Sequence, residues 1–310
     1  MNIVHLKYAV EVERTGSITQ AAENLYMGQP NLSKAIRELE SSIGITIFKR
    51  TPKGVVPTVR GEEFLRQAKK VLAQVEHMEA MFIPGIKEQQ TLSVSVPRAS
   101  YIAEAFTSFV QLLDDTKEID LDYKETSSMK AINNIIQDES TIAFIRFPIE
   151  QEKYFRHLLD FRGLDSKLIW EFEYRAVMSE KHPLAHVQTL KYEDIIQYTE
   201  IAHGDLETPH IPMHEAIKIK DRPYMKRRIF VYERGSQFDI LVNVPTTYMW
   251  VSPIPADILK RQGLVQLKCD NPGNRYKDLL IYKKGYRLSS PERLFVNEVL
   301  RLRDAVARIE

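Results

Sequence analysis
The chain has a single cysteine, Cys269, in 310 residues. That excludes an internal disulfide and most cysteine-rich zinc sites. Glycine is sparse and scattered: no two of the 12 lie closer than seven positions, the interval from Gly54 to Gly61. The dinucleotide fingerprint, the P-loop and the nucleophile elbow all need closer glycines, so none of them is present. No run of about 18 apolar residues occurs, so no segment reads as spanning a membrane. The opening stretch MNIVHLKYAVEVERTGS carries charges within its apolar part and lacks signal-peptide architecture. A reducing cytoplasm is the expected setting. Charge of one sign is not in excess either, since 43 Lys and Arg oppose 42 Asp and Glu. Net charge therefore says nothing about partners.

What is present is ordinary globular material, 44% apolar and 27% charged, with length for two or three domains. Two His-x3-His pairs occur, His182/His186 in HPLAH and His210/His214 in HIPMH. Each has a proline between the histidines and lacks the glutamate a zincin needs, so exposed loop histidines and no metal are expected. The local charge is more telling. Between Gly28 and Arg60, six basic residues (Lys34, Arg37, Lys49, Arg50, Lys53, Arg60) face only Glu38 and Glu40, a candidate anion-binding surface.

Leu6, Ala9, Val10 and Val12 mark a first helix ending near Gly16. Ser17 with Gln20 has the form of a capping box, which starts a second helix with Ile18, Ala21, Ala22 and Leu25 inward. After a turn at Tyr26-Met27-Gly28, a third helix begins with Pro30 in its first turn. Leu32, Ile36, Leu39 and Ile43 form its apolar face, and Gln29, Ser33, Lys34 and Arg37 project from a separate polar arc. Two short helices joined by a tight turn form a helix-turn-helix, whose second helix reads base edges with its first residues. ITIFKRTPKGVVPT then reads as a hairpin with Arg50 and Lys53 at its tip, suited to phosphates or a minor groove. This is a winged helix-turn-helix.

The run TGSITQAAENLYMGQPNLSKAIRELESSIGITIFKRTPKGVVPTVRGE resembles the DNA-binding segment of LysR-type transcriptional regulators. Gly16-Ser17, Ala21-Ala22, Leu25, Gln29-Pro30, Ser33, Ile36, Leu39-Glu40, Gly44, Phe48-Lys49-Arg50, Thr58 and Gly61 carry the match. Gly28 stands where the family usually has serine, and Pro57 where it usually has leucine. With the arc and hairpin above, the DNA-contact set is Ser17, Gln29, Pro30, Asn31, Ser33, Lys34, Arg37, Arg50 and Lys53.

From Thr58 to about Phe82 the chain has no proline, and Phe64, Ala68, Val71, Val75, Met78 and Phe82 recur at heptad spacing. At about 1.5 Å per residue this helix would be roughly 35 Å long. Such a stripe needs a partner, and PGIKEQQ after it reads as a hinge. A second copy's helix is expected there, giving a dimer. The resemblance further implies a tetramer through the C-terminal region.

Beyond Gln90, strands and helices alternate in βαβαβ order, which implies a mostly parallel sheet in an α/β fold. A second series starts near Gly163, and LVQLKC and KDLLIYKK return towards the first sheet. The domain reading is a winged helix-turn-helix over 1–58, a linker helix and hinge over 59–88, and a two-lobed domain over 89–310. Lobe I takes 91–162 and 265–310; lobe II takes 163–264. The order of elements is similar to type 2 periplasmic binding proteins, the effector-sensing fold of the LysR family. Ligands of such sheets lie outside the carboxyl ends of the strands. Those ends bring forward Arg98, Ser100, Thr126, Ser127, Ser128, Arg146, His203 and Ser252. Two arginines with Ser100 and Ser128 near helix starts imply a small anionic effector.

The reading is thus a cytoplasmic transcriptional regulator, not an enzyme. Its partners are double-stranded DNA, its own copies and, for an activator, RNA polymerase, with no membrane and no cofactor beyond the effector. Two other readings of the α/β region stay open. A cytoplasmic enzyme would need a nucleophile–base spacing, metal cluster or cofactor loop, and none is visible. A solute-binding protein would need an export signal.

Overall fold
The computed structural model describes residues 2–52, 54–82, 89–204, 227–232, 234–270 and 274–308. The chain divides into two units, Met1–Glu88 and Gln89–Glu310.

In the first unit, Asn2 caps α1 (Ile3–Thr15) by accepting from Val4 N–H, and Gly16 ends it in the left-handed region at φ 65°. Ser17 caps α2 (Ile18–Asn24), its hydroxyl accepting from Gln20 N–H at 3.3 Å. The reciprocal half of the expected capping box is not made. The Gln20 amide donates instead to Glu23 and Asn24, and Ser17 N–H goes to Thr15 Oγ1. Helix α3 (Gln29–Ile43) follows and ends at Gly44, again left-handed. Leu6, Ala9, Ala21, Leu32, Ile36 and Leu39 meet in one core. Strands β1 (Phe48–Thr51) and β2 (Gly54–Pro57) pair antiparallel from Phe48↔Pro57 to Thr51↔Gly54. The hairpin is fixed at its tip, where Val55 N–H donates to Gly16 O at 2.8 Å. Only glycine fits at position 54, since a Cβ would stand 2.6 Å from that carbonyl oxygen.

Helix α4 (Val59–Phe82) begins where Gly61 N–H donates to Thr58 Oγ1, whose own hydroxyl donates to Thr46 O. Thr58 N–H also reaches Ile47 O at 2.9 Å, so Pro57 leaves the junction of hairpin and helix intact. The expected partner seam needs correction at one residue. Ala68 is 3% exposed and lies in the core of its own unit with Leu65 and Leu72. Phe64 is half-buried against that core. Val71 and Met78 remain exposed, at 41% and 55%, with Val75 half-buried. The Phe82 side chain lies outside the described residues. The helix carries two apolar rows side by side, and Ala68 sits in the inner one, within the core that Leu6, Leu32 and Leu65 share.

Among the described residues, the second unit holds two five-stranded sheets. Strands β3 (Gln89–Val96), β4 (Glu118–Glu125), β5 (Ile142–Pro148) and β6 (Leu164–Glu173) join β14 (Arg275–Lys283) in the order β4-β3-β5-β14-β6. Helices α5 (Ser100–Gln111), α6 (Ser128–Ile136), α7 (Glu152–Phe161) and α11 (Ser290–Ala307) belong to this lobe. Strand β3 runs parallel to β4 and β5, but β14 runs antiparallel to both its neighbours, so this sheet is mixed rather than mostly parallel.

The other sheet has the order β10-β9-β11-β7-β12, from β7 (Arg175–Ser179), β9 (Thr199–His203), β10 (Arg228–Val231), β11 (Thr247–Val251) and β12 (Leu264–Leu267). Strands β8 (Leu190–Lys191) and β13 (Cys269–Asp270) form a small parallel pair. Helices α8 (Tyr192–Ile195), α9 (Arg234–Asn243) and α10 (Ala256–Gln262) complete the lobe.

The lobe boundaries shift from those expected. Strand β6 belongs to lobe I, since Trp170 and Phe172 enter its core, and β12 belongs to lobe II by pairing with β7. KLIWEFEYRAVMS reads as one strand but is two, in different sheets. The chain crosses at Tyr174 and returns at Asn274, and these two residues are tied together. Tyr174 N–H donates to Asn274 O at 2.9 Å, and the Asn274 amide donates to Tyr174 O.

Candidate functional site
The exposed start of α3 comes from local sequence. Gly28 occupies its N-cap and has no side chain to bond the first-turn N–H groups, a consequence of glycine where the resembling family has serine. Gln29, Pro30, Asn31, Lys34 and Arg37 are all exposed. Ser33 is not: it is 6% exposed, and its hydroxyl accepts from Arg37 Nη2 at 3.1 Å. That corrects its place on the outward arc, and its role becomes orientation of the Arg37 guanidinium. Lys34 lies 3.8 Å from Glu38 across an exposed turn, a pair of little energetic weight.

A cleft of about 250 Å³ joins the three pieces that sequence reasoning treated separately. Ser17 and Thr19 line it from the start of α2, Gln29 from the start of α3, and Arg50, Thr51 and Gly54 from the hairpin. Two helix starts and an arginine thus open on one concave surface, which favours a phosphate backbone by backbone N–H groups and charge together. Thr19 and Thr51 were missed; as small polar residues beside recognised ones, they carry no pattern of their own. Lys53 lies outside the described residues.

In the second unit, the strand ends come forward as the topology implies, but several expected contacts are already committed. Arg146 donates Nε to Asp278 Oδ1 at 2.7 Å and Nη2 to Oδ2 at 2.6 Å, with both side chains buried. Tyr101 Oη adds a third bond to Asp278 at 2.6 Å, and the Phe172 ring lies 4.8 Å from the guanidinium. Burial works against the Arg146 charge, but the Asp278 carboxylate outweighs it and holds the guanidinium above its ordinary pKa. This arginine is a structural ion pair inside lobe I, which corrects its assignment as an effector contact. Ser128 is committed too, donating to Arg146 O at 2.6 Å and accepting from Arg146 N–H at 2.9 Å. Ser127 caps α6 by accepting from Lys130 N–H, and Thr126 is buried with its N–H on Val96 O.

Between the lobes, Arg98 Nη2 donates to Tyr232 O at 2.9 Å. Ser100, at the start of α5, is buried and accepts from Arg234 Nη2 at 3.0 Å. Arg234 was not foreseen. It opens α9 in lobe II and pairs across the gap with Glu125 at the end of β4, at 2.6 Å. Its partner lies 109 residues earlier, so no local spacing announces it. His203 is half-buried at the end of β9, and Ser252 is buried just past β11. Glu104 pairs with Arg261 of α10 at 3.6 Å.

Of the histidine pairs, His182 is buried rather than exposed, its Nδ1 accepting from Leu184 N–H at 3.0 Å, while His186 is exposed. His210 and His214 lie outside the described residues. Among the described residues no group of three or more His, Cys, Asp or Glu could hold a metal ion, and no helix is long and apolar enough to cross a membrane.

Comparison with known proteins agrees with this geometry. Residues 3–62 match the family model of the bacterial regulatory helix-turn-helix proteins of the lysR family. The HTH-type transcriptional regulator CysB of Burkholderia cenocepacia is 26% identical over 210 residues, which cover 66% of this chain and 64% of that protein. The Hca operon transcriptional activator HcaR of Escherichia coli is 30% identical over 190 residues, 60% of each chain. The match thus spans less than two thirds of either relative's length. A full-length OxyR variant from Pseudomonas aeruginosa is similar with a TM-score of 0.56 at 14% identity, over 96% of this chain and 94% of that one. Full-length CbnR, solved in complex with target DNA, gives 0.57 at 16% identity, over 97% and 100%. At such identities the likeness is one of fold.

Proposed function
We propose that this chain, whose residues 3–62 match the lysR family of bacterial regulatory helix-turn-helix proteins, is a member of that family and a sequence-specific DNA-binding transcriptional regulator governed by a small effector held between its two lobes. The observation that carries the reading is the shared cleft of Ser17, Gln29 and Arg50. It aims one side chain able to bond adenine bidentately, and one cation suited to phosphate, at a common surface. Asn31, Lys34 and Arg37 extend that surface along α3.

The protein works in the cytoplasm, off the membrane, as a regulator and not as an enzyme, in keeping with the regulators it resembles. It dimerises through the outer row of α4, Val71, Val75 and Met78, and two such dimers pair into a tetramer. As an activator it would also contact RNA polymerase. The effector carries a negative group and lies among Arg98, Ser100, Thr126, His203 and Ser252; no metal or other cofactor takes part.

The test is direct. The full chain should select specific fragments from genomic DNA, and Gln29→Ala should relax its base preference by roughly 1–3 kcal/mol. Arg50→Ala should weaken all sequences alike and flatten the salt dependence. Wild-type binding by both variants would overturn the assignment of this face.

A further inference from the structure
We infer that the interlobe cleft takes a zwitterionic ligand, one bearing a carboxylate and an ammonium group on one carbon as an α-amino acid does. This rests on the reading of that cleft as the effector site and names the chemistry it selects. The ion pair of Arg234 and Glu125 bridges the lobes at 2.6 Å, and the two side chains are only 19% and 20% exposed. Each is the other's partner, so a ligand that takes one must also provide for the other. An anion binding Arg234 would leave the Glu125 carboxylate partly desolvated beside a second negative charge. A cation binding Glu125 would strand the guanidinium in the same way. A zwitterion keeps both charges paired, its carboxylate replacing that of Glu125 on Arg234 and its ammonium replacing Arg234 on Glu125.

The surrounding polar atoms match the two ends. Ser100 Oγ, now accepting from Arg234, can turn its hydroxyl proton to a carboxylate at the first turn of α5. An ammonium has three protons to donate, and two buried acceptors have no hydrogen-bond partner among the described residues. One is Tyr123 Oη, two residues before Glu125 on the same strand and within the electrostatic reach of both Glu125 and Arg234. The other is Gln237 Oε1, one turn along α9 from Arg234. Buried polar atoms left unpaired are uncommon in folded proteins, and these two lie on the strand and the helix that carry the two halves of the ion pair.

Titration calorimetry of the full chain with each of the standard amino acids tests the inference, followed by the N-acetyl and amide forms of the tightest. We expect at least one amino acid to bind and each blocked form to bind at least about tenfold more weakly. Glu125→Gln should cut affinity for the amino acid by a similar factor while leaving the N-acetyl form unaffected. Ser100→Ala, a small change on the carboxylate side, should weaken the amino acid and its N-acetyl form alike. Binding of no amino acid, or binding of the N-acetyl form as tight as that of its parent, overturns the proposal. If succinate binds and alters operator affinity while no amino acid does, the zwitterion falls and the cleft effector stands. If an amino acid binds and both variants keep wild-type affinity, the effector site lies elsewhere and both readings fall.

Discussion
Glu40 Oε1 accepts two consecutive backbone donors, Ile47 N–H at 2.7 Å and Phe48 N–H at 3.1 Å, and so ties the third helix to the first strand of the hairpin. One carboxylate oxygen sets the angle between the two pieces that line the DNA-binding cleft.

Glu40→Ala should therefore cost about 2–3 kcal/mol, because two N–H groups lose a charged acceptor. Denaturant unfolding of the full chain measures it. Glu40→Gln keeps an oxygen in place and should recover much of the loss. Operator affinity should follow the same order, wild type above Gln above Ala.

Arg146→Ala leaves Asp278 buried without its guanidinium and should destabilise the chain by about 3–5 kcal/mol. Combining Arg146→Met and Asp278→Leu with Tyr101→Phe, which removes the hydroxyl that donates to Asp278, leaves no buried group unpaired and should recover most of that loss. Unfolding midpoints in urea distinguish a structural pair from a ligand-binding arginine, for which the single substitution would cost little.

His182 makes stability fall in acid. Burial lowers its pKa below the ordinary 6.5, so between those two values the unfolded chain binds a proton that the folded chain does not. The sign follows: stability declines as pH drops below about 6.5. His182→Asn keeps an acceptor near Leu184 N–H without the titration. Its melting temperature should change less than that of wild type between about pH 8 and about pH 5.

Cys269 should be unreactive. Burial, with Asp270, Glu193 and Asp194 nearby, pushes its thiol up to about 11, so little thiolate exists at neutral pH. Hydrogen peroxide should leave operator binding unchanged, and peptide mass spectrometry should find Cys269 unoxidised.

The elements that sequence made legible are those with a local cause. Leu32, Ile36 and Leu39 step along one helix face, Pro52 and Gly54 mark the hairpin tip, and Ser17 signals the start of α2. Ser33 was misplaced because helical angle alone ignores reach: a short side chain at the edge of the polar arc lies beneath the longer Arg37. Helix α7 escaped notice although Phe155 and Leu159 are spaced for it, since Gln151 gives it no side-chain cap. The ion pairs were beyond any local pattern. Arg146 sits in the apolar run TIAFIRF and finds its carboxylate 132 residues later. Arg234 lies just past a strand end in YERGSQ, with nothing nearby to show that it opens a helix and reaches the other lobe.

Strand β14 lies between β5 and β6 in the first sheet, yet it is made after every strand of the second lobe. On the ribosome, β6 has no neighbour in its own sheet among the described residues until 275–283 emerge, and Asp278 brings Arg146 its counter-charge only then. Lobe II can pair its five strands earlier, since β7 to β12 are contiguous in the chain. The order of closure therefore runs against the order of synthesis: the inserted lobe can close first, and the lobe that begins first closes last. A chain cut short near residue 270 would lose the middle of lobe I, not a peripheral tail, and expose both faces of the gap to other chains.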